Sequence, residues 1–139
     1  MRRGILALSL VFVMPGQNAQ DETKKELEKL QGKWAIATFN GQDVPSEAQA
    51  FLVFDGDKYE QWNNGSVDER GTIKIDPKTK PMSVDLIITE GTDAGKTQPG
   101  LYELTDSTTL WVGLTVPGNT TRPSAIANAE LQVLVKKVK

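Results

Sequence analysis

The sequence predicts an all-β fold: an antiparallel up-and-down barrel of about eight strands with a short N-terminal helix. Three observations carry this reading. Apolar and polar residues alternate in short runs along residues 34–138, the period of strands with one buried face. Two tight-turn signals, Asp55-Gly56 and Asn63-Asn64-Gly65, follow closely on one another and imply hairpins in a meander. At Leu30-Gln31-Gly32-Lys33-Trp34 a charged helical segment gives way to the first alternating run, with Gly32 at the position that tolerates a left-handed helix end.

Taken in order, residues 21–30 form the helix. Thr23 and Glu26 have capping-box spacing, and Leu27 and Leu30 share a side. So short a helix is marginal alone, and its leucines are expected to lean on the barrel across one end. In the first strand Trp34, Ile36 and Thr38 share one face, and Ala35, Ala37 and Phe39 the other. Asn40-Gly41 makes a turn, and Val44-Pro45-Ser46-Glu47 a loop or brief helical turn. Strands follow at residues 51–54, 58–62 and 67–75, and then a loop, residues 76–81, closed by Pro77 and Pro81. In the fifth strand Met82, Val84, Leu86 and Ile88 alternate with Ser83 and Asp85. A polar connection at 90–98 leads to strands at 100–104 and 109–115. Residues 117–128 read as a long irregular loop before the last strand, 131–138, where Val133 and Val135 oppose Gln132 and Leu134.

A length of 139 residues suits one domain with a single core. Hydrophobic content of 38% and charged content of 24% are those of a soluble globular chain. The absence of cysteine removes disulfides, thiolate metal sites, a cysteine nucleophile and a lipid-modified N-terminal cysteine. The absence of histidine removes the usual general base and the commonest metal ligand. Accordingly no catalytic residue, metal site or cofactor is assigned, and the expectation is a protein that is not an enzyme.

The N-terminus reads as a secretory signal, residues 1–19, with Arg2 and Arg3 ahead of the apolar run 4–14 and cleavage after Ala19. An uncleaved anchor is the competing reading, although the apolar run is short for a bilayer. The remaining single domain is residues 20–139. It carries 14 basic against 18 acidic residues, a net charge of −4, which gives no reason to expect nucleic acid as a partner. A secreted, periplasmic or cell-envelope location follows, with no membrane span after cleavage.

Gly32-Lys33-Trp34, a Gly-x-Trp at the start of strand one, resembles the first signature of the lipocalin-like (calycin) barrels. That resemblance implies a Trp34 indole stoppering one end of the barrel, packed against an arginine from near the last strand, here Arg122. Further blocks follow in order: Asp76-Pro77-Lys78-Thr79-Lys80-Pro81, Val84-Asp85-Leu86, Gly95-Lys96-Thr97, Gly100-Leu101-Tyr102-Glu103-Leu104 and Arg122-Pro123. Together they resemble an uncharacterised secreted domain family abundant in planctomycete bacteria, which carries no assigned activity. One departure is Ser124-Ala125-Ile126-Ala127, where the family pattern implies an aromatic, so poorer packing of that loop is expected.

Gly91-Thr92-Asp93-Ala94-Gly95-Lys96-Thr97 invites comparison with a phosphate-binding loop, but its glycines are too close and a strand follows instead of a helix. A solvated inter-strand loop is the better reading. Asp55-Gly56-Asp57 lacks the remaining ligands of a calcium loop. Carboxylates are plentiful, namely Asp55, Asp57, Asp68, Glu69, Asp85, Glu90, Asp93 and Glu103, and two converging in one cleft would permit a hydrolase. Asp85 stands out because it lies within an apolar strand, either on the outer face or paired inside. Asn64-Gly65-Ser66 and Asn119-Thr120-Thr121 match a glycosylation acceptor pattern but also read as plain turns. Lys136, Lys137 and Lys139 read as a solvated strand edge blunted by charge.

The better functional lead is the aromatic set, and Tyr59, Gln61, Tyr102, Asp85 and Trp111 are the candidate ligand-binding residues. Alternation puts Tyr59 and Gln61 opposite Trp62, and Trp111 opposite Leu110 and Val112. The inward set, Ile36, Phe54, Ile73, Leu86, Tyr102, Val112 and Val133, either fills the interior or lines a cavity. A lined cavity points to a binding domain holding a small apolar ligand. A filled core points to a structural or interaction domain that meets an envelope protein through loops such as 117–128.

Overall fold

The computed structural model describes residues 15–139 of the chain, with side chains described from residue 20. Its elements in chain order are helix α1 (Pro15–Leu30), strands β1 (Gly32–Phe39) and β2 (Gln42–Asp43), a 3₁₀ turn (Ser46–Ala48), and strands β3 (Phe51–Asp55), β4 (Lys58–Asn63) and β5 (Ser66–Asp76). They continue with β6 (Met82–Glu90), β7 (Thr97–Asp106), β8 (Thr109–Leu114), a second 3₁₀ turn (Ile126–Asn128) and β9 (Leu131–Lys137). Every pairing is antiparallel in the order β1-β3-β4-β5-β6-β7-β8-β9, and β9 returns to β1. The result is a closed eight-stranded barrel, lipocalin-like in architecture, with β2 as an extra strand hairpinned to the end of β1.

Closure alters the expected role of the C-terminal lysines. β9 pairs on both sides, with β8 and with β1, so Lys136 and Lys137 blunt no edge. Lys136 Nζ donates to Thr109 Oγ1, and Lys137 Nζ donates to the Gln31 carbonyl.

The helix starts earlier than its sequence signals indicate. Thr23 and Glu26 lie mid-helix, not at its first turn, and Glu26 pairs with Lys29 at 2.7 Å. The bond after Ala19, the expected cleavage point, lies within α1, and the apolar run 4–14 falls outside the described residues. Leu27 and Leu30 do lean on the barrel, Leu30 wholly buried. The helix end is tied down carbonyl by carbonyl, as its unpaired last turn requires. Gln31 Nε2 donates to Leu27 O, Trp34 Nε1 to Leu30 O at 2.8 Å, and Lys137 Nζ to Gln31 O. Gly32 leaves the helix at φ +110°, a conformation that L side chains rarely adopt.

Trp34 is fully buried at this end of the barrel. The cation over its indole is the Lys137 ammonium, 5.0 Å from the ring centroid, and not Arg122. Arg122 reaches a different place: its guanidinium donates to the carbonyls of Val84 and Gly100 and to Asp85 Oδ1 at 2.8 Å. It thereby fastens the loop between β8 and β9 onto the outside of β6 and β7. Beneath that loop Ile126 is buried against Gly113, where an added Cβ would stand 2.9 Å from the Ile126 Cα. The loop therefore packs closely without the aromatic, since a glycine on the wall makes room for an isoleucine. This cover also explains why Leu101, on the outward face of β7, is buried.

One face assignment in β1 fails. The ladder to β9 slips between Ile36 and Thr38, leaving Ala37 as the extra residue of a bulge. Beyond it Phe39 joins Trp34 and Ile36 on the inner side, and Thr38 does not.

Candidate functional site

The barrel does not fill itself. A cavity of about 310 Å³ runs from Leu30, at the helix-covered end, to a mouth bordered by Phe39, Asp93, Pro117 and Leu131. All seven residues of the expected inward set line it, from Ile36 on β1 to Val133 on β9. Most of the wall is branched aliphatic and phenylalanine side chains, which bind apolar surface without direction.

The polar residues on this wall form two groups. Toward the mouth, Tyr59 from β4 donates its hydroxyl to Glu69 Oε2 on β5 at 2.7 Å. Gly71 makes that bond possible, because a Cβ there would come within 2.7 Å of the Tyr59 ring. Gln61 sits directly across the ladder from Glu69, Gln98 projects from β7, and Asp93 comes from the β6–β7 connection. Burial, joined by the charges of Asp93 and Asp68, raises the Glu69 pKa; the Tyr59 hydrogen bond opposes this only in part. Asp93 is held by Lys96 Nζ at 3.2 Å. The carboxamides of Gln61 and Gln98 have no hydrogen-bond partner among the described residues, although Gln98 is only 5% exposed.

At the covered end Tyr102 is the polar group. Its ring is 2% exposed, and its hydroxyl faces the carboxylate of Glu26 on α1, whose Oε1 is likewise buried. After burial itself, the Glu26 carboxylate raises the Tyr102 pKa, by its charge and then by hydrogen bonding to the hydroxyl. Burial is also the larger reason that Tyr59 holds its proton far beyond the ordinary tyrosine range, with Glu69 adding to it.

Of the five sequence candidates, Tyr59, Gln61 and Tyr102 line the cavity. Asp85 does not; it lies on the outer face, bound to Arg122. Trp111 is also outside the cavity, in register with Glu103 and Leu134 on the outward face of β8. Gln98 and Phe39 were overlooked, and Glu69 and Asp93, counted among the carboxylates, were not singled out as cavity residues. Two were within reach of alternation: Ile73 facing inward implies Gly71 and Glu69, and Tyr102 implies Gly100 and Gln98. Phe39 depends on the bulge and Asp93 on a loop, and neither has a periodic signal.

The other sequence features are structural. Residues 91–96 form the connection between β6 and β7 with no helix after Lys96, and Asn64 occupies a turn with φ +53°. Among the described residues no cluster of three acidic side chains could hold a metal, and no helix is long and apolar enough to cross a membrane. Comparison with protein-family models, curated proteins and solved structures returns no match, so the site is read from its own chemistry.

Proposed function

We propose that this domain is an exported, non-enzymatic binding protein that holds a small apolar molecule inside its barrel. The observation that carries the proposal is the aliphatic-walled cavity of about 310 Å³, a volume at the lower end of the range for small-molecule sites. A core evolved only for stability would close such space, because each unfilled volume forfeits packing energy. Export, an envelope or secreted location and kinship with the secreted planctomycete domain family belong to the same proposal. They are supported by the signal-like pattern of residues 2–19 and by the ordered sequence blocks.

The test is titration of the protein with an environment-sensitive apolar dye, beside Val112→Phe, which places a ring in the middle of the cavity. Saturable enhancement in the parent and its loss in a folded variant are expected. Equal, unsaturable signals from both would overturn the reading.

A second reading, hydrolysis by paired carboxylates, draws on Glu69 and Asp93 standing at one mouth. The aliphatic wall offers a sugar few hydrogen bonds, which leaves this reading the weaker. Docking of an envelope protein on residues 117–128 is supported less, since Arg122 and Ile126 turn that loop onto the barrel wall.

A further inference from the structure

Resting on the binding role proposed above, we infer that the ligand is an amphiphile with a protonated amine at its polar end, seated at the mouth against Glu69 and Asp93, with its apolar body directed toward Leu30. Two carboxylates and two carboxamides supply the polar lining at the mouth, and no lysine or arginine lines the cavity. Such a wall accepts hydrogen bonds from a cation and repels a carboxylate or phosphate head.

The acceptors have capacity left. Glu69 engages one oxygen with Tyr59, and Asp93 engages one with Lys96, so each carboxylate keeps a second oxygen able to accept. The neighbouring acids that raise the Glu69 pKa create the local field that an ammonium group would relieve. Independent of the acids, Gln98 presents a carboxamide without a partner on the cavity wall, from a residue only 5% exposed. A polar side chain so little exposed is ordinarily hydrogen-bonded, so this one, on the cavity wall near the mouth, marks where an occupant makes contact. At about 30 Å³ for each water-sized group, the cavity has room for about ten non-hydrogen atoms. That suits a medium-length alkylamine and excludes a long-chain lipid.

The experiment compares n-octylamine, 1-octanol and octanoate, matched in chain and differing in head, as competitors for a neutral bound dye at neutral pH. The amine is expected to displace the dye about 10-fold more effectively than octanoate, with the alcohol between them, a difference of about 1.4 kcal/mol. Glu69→Gln keeps an acceptor for Tyr59 and removes the charge. It should weaken the amine about 5-fold, roughly 1 kcal/mol, and leave the alcohol unchanged, which also reports an intact cavity. Glu103→Gln, on the outward face, should change neither. Octanoate competing as well as the amine, or an amine affinity indifferent to Glu69→Gln, overturns the head-group assignment while the binding role stands. Failure of all three competitors where the dye still binds saturably overturns the alkyl-chain ligand class, and failure of the dye itself overturns the binding role.

Discussion

Tyr59 and Tyr102 are the chain's two tyrosines, and both lie inside the barrel. For each, burial comes first and a glutamate second in raising the pKa above the ordinary 10.0. A raised folded-state pKa means the stability linked to these protons is complete below pH 10.0 and is lost as pH climbs from there toward the folded values. An alkaline titration followed by tyrosinate absorbance should therefore show no ionisation while the fold persists, then both rings together as it unfolds. One ring titrating near pH 10 in a protein with native circular dichroism would remove that ring from the cavity. Trp34 makes a different contribution, joining helix to barrel through Leu30 O. Trp34→Phe should cost about 1–2 kcal/mol in urea unfolding through the lost hydrogen bond and some volume, and Trp34→Ala about 3–5 kcal/mol.

Among the elements, the strands were the easiest to read, because a side chain's face follows from counting by twos. The inward set was legible for that reason, and Glu69 and Gln98 could have joined it by the same count. The bulge in β1 was not legible: Ala37 looks like any strand residue, and only the pairing with β9 makes it the odd one out. The partner of Arg122 was hidden for a related reason, since it is settled by contacts distant in sequence. Arg122 now has a measurable duty. It holds the β8–β9 loop by two backbone carbonyls and one carboxylate, part-buried and part-exposed. Arg122→Ala should lower stability by about 2 kcal/mol and speed amide hydrogen exchange at Leu101 and Gly113 beneath the loop. Unchanged exchange there would show that Ile126 alone keeps the loop in place.

At the scale of the whole molecule, the barrel depends on a pairing between its first and last long strands. Removing residues 131–139 would leave β1 and β8 with unpaired edges and uncover the cavity wall that Val133 supplies. Such a truncation should elute as oligomers or precipitate, whereas the full domain elutes according to its mass; a soluble, cooperatively folding truncation would show that the closing pair is dispensable. That the chain makes a ring was legible from strand number and spacing, but whether the ring was hollow was not. Ile36, Phe54 and Val133 have the same composition whether they touch across the axis or stop short of it.

Because Trp34, Lys137 and the last turn of α1 are bound to one another, the seam of the ring and the stopper beneath it are one assembly. The wall's closing pair and the seating of its base therefore share one residue, Lys137. Losing that one ammonium would loosen the seam and the stopper at the same time.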